Sequence, residues 1–309
     1  MFSYIFAKSW KFILSLLILV AGFPLIERTI KFNFPKEQQT GLPKLSVLSY
    51  NVMYCDNARA NTEEGKAVSL SLINDMDTLT ADIKCFQELY NKPKDSVFDV
   101  FSRLKRHTPY FTYMHSDIDE SSKVGSVGLA IFSKYPIIHK EEISWKTNNN
   151  GLLLADIVVK KDTIRVFNVQ MKSMGIRVAK AITRNEVVRN KEAKNILSQL
   201  KLGFKDRGFQ VDELEELIKV SPYPVIVAGD FNEMPYGYAY GRVRKQLENS
   251  FEDSGYGFGF TYHKMPSFLR IDNIFYKEDK FQIQGFETYR DLENSDHYPI
   301  RASYGIKPS

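Results

Sequence analysis

Ten short apolar runs of strand type constrain the fold of this chain more than any other feature. Several follow one another with only a turn between them, and together they outnumber the helical patterns. The runs cover Leu45–Tyr50, Ile83–Gln87, Phe111–His115, Val127–Ser133, Leu152–Val159, Thr163–Val169, Tyr223–Ala228, Ile271–Tyr276, Phe281–Phe286 and Tyr298–Tyr304. Because each sheet must bury an apolar face, we predict two β-sheets packed together with helices outside them, in one domain.

Helices are predicted between some of these strands, where apolar residues recur at a spacing of about 3.6 residues. They cover Glu64–Leu79, Val97–Leu104, Asn185–Leu202, Val211–Val220 and Ala239–Leu247. The chain has 309 residues, of which 43% are hydrophobic and 26% are charged, and this composition is typical of a globular protein. Without its N-terminal segment, about 270 residues remain, which is enough for one large domain.

The charge and the cysteines exclude some classes of protein. The net charge is +5, and residues 1–31 carry +3 of it, so the rest of the chain is only weakly basic. A non-specific nucleic-acid binder usually has a larger excess of basic residues. Two cysteines, Cys55 and Cys85, are too few for a disulfide framework, and their spacing does not match a zinc site. We expect Cys85 to be a buried thiol.

The N-terminus carries an uncharged apolar run, Phe12–Ile26, preceded by Lys8 and Lys11. We predict a signal anchor or transmembrane segment over residues 1–31, a linker over 32–44 and the main folded domain over 45–309. A cleaved signal peptide and a buried helix of a soluble domain are the alternatives. The two lysines favour a cytoplasmic N-terminal flank, which would put the domain on the extracytoplasmic side of the membrane.

Five strand-like runs lead into, contain or follow polar side chains that an ordinary core would not contain. The polar residues are, in chain order, Asn51, Glu88, the pair Asp230 and Asn232, Asp272, and the pair Asp296 and His297. On an extended backbone, residues two apart point the same way, so Asp230 and Asn232 are expected to face one spot. Each residue alone has an ordinary structural explanation, but the ordered set predicts a reactive site.

In this order the residues resemble those of the endonuclease/exonuclease/phosphatase superfamily, which includes DNase I-like nucleases and neutral sphingomyelinases. The resemblance covers roughly Leu45 to Tyr304. It implies an α/β fold, a four-layered sandwich with two packed central mixed sheets, preceded here by an N-terminal hydrophobic helix. It also implies hydrolysis of a phosphate ester with Mg²⁺, or Mn²⁺, as cofactor.

The resemblance also implies a metal-binding group. Glu88 would be the principal ligand, supported by Asn51, and Asp296 would contribute a second carboxylate. Oxygen ligands of this kind suit Mg²⁺, which takes one or two carboxylates and keeps several waters.

Catalytic roles follow from the same resemblance. Asp230 would orient or deprotonate the attacking water, and Asn232 would hold that water or a phosphate oxygen. His297 would contact the phosphate, and Asp272 would fix the tautomer of its imidazole.

One position departs from the superfamily pattern. Gln170 stands where the sphingomyelinase-like and DNase I-like branches commonly place a histidine. Glutamine can donate a hydrogen bond to a phosphate oxygen, but it cannot supply a proton to a leaving group. The chain is therefore expected to be a slower enzyme, to act on esters with better leaving groups, or to have lost turnover and be a non-catalytic module that binds a phosphoester or a lipid. His263, in an aromatic loop, is a candidate replacement for the missing histidine.

The expected partners follow from this combination of an anchor and a hydrolytic site. They are a phosphate-ester substrate (a lipid headgroup, a small phosphoester or a nucleic acid) and the membrane, through the N-terminal helix. A membrane-tethered nuclease is a further alternative, and a monomer is expected.

Overall fold

Two six-stranded mixed sheets form the centre of the molecule. The structure is a computed structural model, and it describes residues 11–34, 41–115, 125–145, 150–173, 186–264 and 269–308. The strands are β1 (Lys31–Phe32), β2 (Lys44–Asn51), β3 (Ile83–Asn91), β4 (Tyr110–His115), β5 (Ser126–Ser133), β6 (Ile137–Ser144), β7 (Gly151–Val159), β8 (Asp162–Gln170), β9 (Val225–Asp230), β10 (Glu248–Asn249), β11 (Tyr256–Gly257), β12 (Asp272–Tyr276), β13 (Phe281–Thr288) and β14 (Ile300–Ile306). The helices are α1 (Lys11–Thr29), α2 (Glu63–Thr78), α3 (Val100–Leu104), α4 (Glu186–Lys219), α5 (Tyr238–Arg244) and α6 (Ser250–Ser254), with a 3₁₀ segment at Met53–Arg59.

The strand order explains why the polar strand ends meet. One sheet has the order β13-β14-β2-β3-β5-β4, and the other has the order β10-β12-β9-β8-β7-β6. Each contains one parallel pair at its centre, β2 with β3 and β8 with β9. The carboxyl ends of parallel strands lie at the same edge of a sheet, so the residues that end these four strands come together at one end of the sandwich.

Three apolar clusters define four layers. The cluster between the sheets draws on both, and includes Val47, Ile131, Val166 and Ile274. A second cluster packs α2 and α3 on the outer face of the first sheet, and a third packs α4 and α5 on the outer face of the second sheet. The predicted four-layered α/β sandwich is confirmed. The buried free thiol of Cys85, in the central cluster, is confirmed as well.

Among the longer elements, two differ from the sequence predictions; the two-residue strands β1, β10 and β11 and the five-residue helix α6 were not predicted either. Strand β6 was not predicted because it is an edge strand with mostly exposed side chains, and its polar centre, residues 139–142, interrupts the apolar pattern. The two helices predicted over Asn185–Leu202 and Val211–Val220 form one helix, α4. Gly203 and Gly208 lie within it, and an interior glycine costs a helix only about 1 kcal/mol without removing a backbone donor.

The N-terminal helix α1 carries its apolar side chains on the surface. Ten large apolar side chains between Phe12 and Ile26 are 41–64% exposed. Among the residues that the structure describes, no helix combines the length and the apolar character that crossing a membrane requires, so the predicted transmembrane segment is not supported.

The end of α1 and the chain that follows it bind directly to the domain that the two sheets form. Strand β1 pairs antiparallel with β11, and Asn33 Nδ2 donates hydrogen bonds to the carbonyl oxygens of Glu252 and Gly255 at 2.9 and 3.0 Å. The buried guanidinium of Arg270 donates to the carbonyl oxygen of Arg28 at 2.7 Å. Part of the predicted linker is therefore attached to the domain, whereas residues 35–40 lie outside the described part of the chain.

Candidate active site

The carboxylate of Asp230 lies at the centre of the site. It ends β9 and is 1% exposed, and its Oδ1 accepts a hydrogen bond from the backbone N–H of Asn232 at 2.8 Å. Its Oδ2 accepts from the amide nitrogens of Asn51 and Asn232, each at 3.1 Å. Gly229, just before Asp230, lets the backbone of β9 lie close to that of β8. Its φ is +148°, and a Cβ there would lie 2.0 Å from the carbonyl oxygen of Val169 on β8.

Asn232 holds this turn as well as facing the site. Its φ is +48°, a left-handed conformation that asparagine tolerates better than most residues. Its Nδ2 also donates to the carbonyl oxygen of Met171 at 3.0 Å, so the amide links the segments that follow β8 and β9. The predicted convergence of Asp230 and Asn232 is present, although it arises from a turn and not from a continuing strand.

Glu88 enters the site from a β-bulge in β3. The pairing with β5 shifts register between Phe86 and Leu89, and Glu88 itself has φ +53°. Phe86 and Leu89 both belong to the outer apolar cluster. Regular alternation would place Glu88 on that outer face with Phe86, but the extra residue frees it to turn toward the end of the sandwich. Bulges next to functional sites commonly re-aim a side chain in this way.

Asn51 connects the two carboxylates across the sheets. Its Nδ2 is 3.1 Å from Asp230 Oδ2 and 3.4 Å from Glu88 Oε1, and its Oδ1 accepts from the backbone N–H of Met53 at 3.1 Å. The amide oxygen is therefore engaged with the backbone. Asn51 orients the carboxylates with its nitrogen, and because its oxygen keeps a second lone pair, its place among the metal ligands stays a prediction.

His297 and Asp272 form a buried pair beside Asp230. Asp272 is the first residue of β12 and lies opposite Asp230 in the antiparallel register. Its Oδ2 is 2.8 Å from His297 Nδ1, and His297 Nε2 lies 3.9 Å from Asp230 Oδ2. Both residues are at most 5% exposed. The predicted role of Asp272, a carboxylate behind the histidine, thus has the geometry it needs.

The electrostatics of the site favour a cationic histidine among carboxylates. Burial alone would lower the pKa of His297, but the negative charges of Asp272 and Asp230 outweigh it and raise that pKa to about 10. Burial raises the pKa of Asp230, the charge of Asp272 adds to this, and His297 opposes it. Burial also raises the pKa of Glu88; His297 opposes that shift, and the charge of Asp296 adds to it.

Asp296 lies at the rim of the site. Its Oδ1 is 4.0 Å from His297 Nε2, and its side chain is 23% exposed. The segment around it is fixed by the neighbouring Ser295, whose hydroxyl donates to the carbonyl oxygen of Asn51 at 2.7 Å. His263 Nε2 lies 2.5 Å from the carbonyl oxygen of Ser295, and its ring stacks on that of Tyr298. His263 therefore braces this loop and does not replace a histidine at position 170.

Gln170 contacts a carboxylate and not open space. It ends β8, is 4% exposed, and donates from Nε2 to Glu88 Oε1 at 2.6 Å. Its Oε1 is buried and has no hydrogen-bond partner in the described part of the chain. One N–H of the Gln170 amide is thus committed to Glu88, and the expectation that this residue donates to a phosphate oxygen rests on the other N–H.

The donor set fits a hard divalent cation. Four carboxylates lie around the single imidazole of His297: Asp230 and Asp272 are buried, and Glu88 and Asp296 are partly buried. Such an excess of negative charge in a largely buried site is costly without a cation. Asp230, Asp272 and His297 can each bring one ligand atom within 4.8 Å of the others. A protonated imidazole has no lone pair with which to bind a metal, however, so these three residues are better described as a buried cluster of ion pairs. Glu88 is the better candidate ligand.

Sequence reasoning missed the residues beneath the site. Asn168 and Gln87 are fully buried between the sheets and bonded to each other, with Gln87 Nε2 2.6 Å from Asn168 Oδ1. The signal for Asn168 was available. The inner face of β8 reads Ile164, Val166, Asn168 and Gln170 at intervals of two residues, so a polar residue follows two apolar ones on a core-facing stripe.

Comparisons with known proteins agree with this architecture. A search of curated protein sequences finds no match. Truncated TDP2 from Caenorhabditis elegans is 16% identical with a TM-score of 0.60, and the alignment covers 85% of this chain and 98% of that one. The human nocturnin catalytic domain with bound sulfate is 16% identical with a TM-score of 0.55, and the alignment covers 86% of this chain and 94% of that one. An endonuclease/exonuclease/phosphatase family protein from Bacteroides thetaiotaomicron is 18% identical with a TM-score of 0.58, and the alignment covers 87% of this chain and 100% of that one.

At such identities the structural likeness shows the fold alone. The sequence itself goes further, because a model of the endonuclease/exonuclease/phosphatase family matches residues 48–297, which is most of the chain and spans the site from Asn51 to His297. The chain therefore belongs to the endonuclease/exonuclease/phosphatase family.

Proposed function

We propose that this protein is a phosphoric ester hydrolase that uses a divalent cation and a water molecule activated by Asp230. One observation carries the proposal. The carboxylate of Asp230 is buried, held by the side chains of Asn51 and Asn232, and placed 3.9 Å from the cationic ring of His297. A base, a hydrogen-bonding cation and amide donors thus converge on one point, which is what in-line attack of water on a phosphate requires.

Asp230 acts as the base in this scheme. Burial and the neighbouring charge of Asp272 raise its pKa toward neutrality, which makes it a stronger proton acceptor than an exposed carboxylate. Its two oxygens are oriented by the amides of Asn51 and Asn232, so one lone pair can face the attacking water. The proton of that water passes to Asp230 as the oxygen approaches phosphorus.

His297 acts as the electrostatic partner of the phosphate. Its Nε2–H donates to a phosphate oxygen, where negative charge accumulates in the transition state. Asp272 accepts from Nδ1 at 2.8 Å, which orients the ring and keeps it charged at neutral pH. The pair then supplies a fixed positive charge that needs no reorganisation during the reaction.

Glu88 is the residue proposed to hold the cation, with Asp296 at the rim and Asn51 orienting Glu88. Hard oxygen ligands suit Mg²⁺, and Mn²⁺ accepts the same donor set. When bound, the cation neutralises charge on the phosphate and on the departing oxygen.

Hydrolysis of bis-p-nitrophenyl phosphate with added Mg²⁺ tests the proposal. We expect Asp230→Asn to lower kcat by about 10²- to 10⁴-fold, because the general base is lost while the shape is kept. Asp253→Asn is the control, since Asp253 is a partly buried carboxylate that accepts from Tyr276 and is not part of the site. Activity that survives Asp230→Asn, or that is unaffected by EDTA, would sink the proposal.

The proposed substrate is an ester of phosphate, and its source is decided by a substrate panel. Sphingomyelin, plasmid DNA and small phosphate mono- and diesters stand for a lipid headgroup, a nucleic acid and a small molecule. DNA cleavage that Asp230→Asn abolishes would make the protein a nuclease. Binding of a phosphorylated ligand without turnover of any substrate would instead favour a non-catalytic binding module.

We further propose that α1 brings the domain to a membrane surface from the extracytoplasmic side. The supporting observation is the exposed apolar surface of α1, which can insert among lipid headgroups. The full chain, expected to be monomeric in detergent by sedimentation, should float with vesicles that contain anionic lipid. Leu17→Glu should reduce flotation, and Leu202→Glu, at an equally exposed leucine of α4, should not. Equal flotation of both variants would contradict the role of α1.

A further inference from the structure

The bulge that presents Glu88 is held by side chains from the opposite sheet. Asn168 of β8 donates from Nδ2 to the carbonyl oxygens of Phe86 and Ala130, at 2.8 and 2.9 Å. Phe86 and Ala130 are the last regular pair of the β3–β5 ladder before the register shifts. A fully buried amide from one sheet therefore satisfies two backbone acceptors at the point where the ladder of the other sheet is interrupted.

The same amide also binds the first residue of the bulge. Asn168 Oδ1 accepts from Gln87 Nε2 at 2.6 Å, and Gln87 Nε2 lies 3.2 Å from the hydroxyl of Ser49 on β2. These three side chains are fully buried in an otherwise apolar layer between the sheets. Buried polar groups are retained at a cost, and a network in which the amides are bonded to each other fixes one register of the strands.

Gln170 continues the contact to Glu88 itself. Residues 168 and 170 lie two apart on β8 and share a face, so the first reaches the backbone of the bulge and the second reaches the carboxylate beyond it. The Gln170 bond to Glu88 Oε1 is 2.6 Å, shorter than the 3.4 Å between Asn51 and the same oxygen. An amide donor leaves Glu88 its negative charge and its other oxygen.

We propose that Asn168 and Gln170 are positioning residues that hold the Glu88 bulge in the conformation that binds the divalent cation. The proposal rests on the proposed metal-dependent function, and adds to it the source of the ligand's orientation. Without the two amides, the left-handed conformation of Glu88 loses its support. A ladder that reverts to regular alternation would turn the carboxylate toward the outer face, away from Asp230.

Mn²⁺ binding to the full chain, measured from the electron paramagnetic resonance signal of the free ion, tests the proposal. Asn168→Leu keeps the side-chain volume and removes both donors, and Gln170→Met keeps the length and removes the donor to Glu88. Loss of an interaction behind a metal ligand typically costs about 10- to 100-fold in metal affinity. We expect Asn168→Leu to raise the Kd for Mn²⁺ by about that factor, and Gln170→Met by about tenfold.

Asn91→Leu is the matched control for loss of stability. Asn91 is a buried asparagine at the C-terminal end of β3, beyond the bulge, and its Oδ1 accepts from the backbone N–H of Phe101. We expect this variant to lower Tm while leaving the Kd for Mn²⁺ within about twofold of the wild type. A shift in Kd as large as that of Asn168→Leu would mean that Asn168 contributes only to folding in general, and it would overturn the proposal.

Two further outcomes separate this proposal from the proposed function. If Asn168→Leu does not fold, Gln170→Met decides alone, and a Kd equal to that of the wild type refutes the positioning role. If the wild type does not bind Mn²⁺, or if Glu88→Gln binds it as tightly as the wild type, Glu88 is not the metal ligand. The positioning role of Asn168 and Gln170 then fails as well. If Glu88→Gln loses affinity for Mn²⁺ while Asn168→Leu and Gln170→Met keep it, the positioning role is refuted and the metal site stands.

Discussion

Replacing Asp272 by asparagine isolates the charge that keeps His297 cationic. With the charge centres about 4 Å apart, a buried ion pair contributes about 4 kcal/mol at the effective dielectric constant that suits protein sites. That corresponds to about three pKa units. Burial lowers the pKa of His297, and Asp272 is the largest of the opposing charges that raise it to about 10. In Asp272→Asn the pKa is therefore expected to fall to about 7.

The consequence is a loss of activity that depends on pH. At pH 8 only about one tenth of the variant would carry the imidazolium, whereas at pH 6 about nine tenths would. We expect kcat/KM for bis-p-nitrophenyl phosphate, relative to the wild type at the same pH, to fall by at least about tenfold at pH 8 and to recover by about tenfold at pH 6. The charge of Asp272 also raises the pKa of Asp230, so the variant keeps more of this base deprotonated at pH 6, which adds to the recovery there.

Two comparisons complete this test. Asp253→Asn should leave the ratio near one at both pH values, because Asp253 pairs with Tyr276 away from the site. In a His297→Gln background, Asp272→Asn should cost almost nothing more, since residues that act through one contact are not additive. A ratio that is the same at pH 6 and pH 8, or full additivity in the double variant, would refute the reasoning.

Three other changes give distinct outcomes. Gly229→Ala should lower the free energy of unfolding by at least about 3 kcal/mol in urea titrations, because its Cβ would lie 2.0 Å from a backbone oxygen of Val169; Gly285→Ala, where no atom lies within 4 Å, should cost far less. Burial lowers the pKa of Lys84 to about 8, so between that value and its ordinary pKa the unfolded chain binds more protons and stability rises with pH. Lys84→Met should remove a rise of about 2 kcal/mol between pH 7.5 and 9.5, and an unchanged slope would contradict the assignment. Gln170→His should weaken the affinity for Mg²⁺, measured by calorimetry, and should not raise kcat, because the hydrogen bond from the Gln170 amide to Glu88 is lost. A gain in kcat would show that the site lacks a histidine at this position.

The fold and the family were accessible from the sequence because their signals are local. Apolar runs of strand length predicted the two sheets, and polar residues at their ends predicted a site from Asn51 to His297. Strand β6 escaped because an exposed edge strand needs no apolar pattern. The continuity of α4 escaped because glycine weakens a helix without ending it.

The partners of the site residues could not be read in the same way. Gln170 was expected to donate to a phosphate oxygen, and its hydrogen bond to Glu88 was not foreseen. His263 was a candidate for the site, and it instead braces the loop at Ser295. In both cases the outcome depends on which acceptor another strand or loop places within about 3 Å, and that distance is absent from a one-dimensional pattern.

The sequence by itself determined which groups this protein can use: the carboxylates, amides and imidazole at the strand ends, and an apolar N-terminal segment. The tertiary structure alone decided how they act on one another. It brought the ends of β2, β3, β8 and β9 to one edge, placed Asp272 behind His297, and used Asn168 to bridge two sheets at the bulge of Glu88. The physical reason is that chemical identity is carried by each residue, whereas hydrogen bonds and charge coupling depend on distances across strands that lie far apart in the chain.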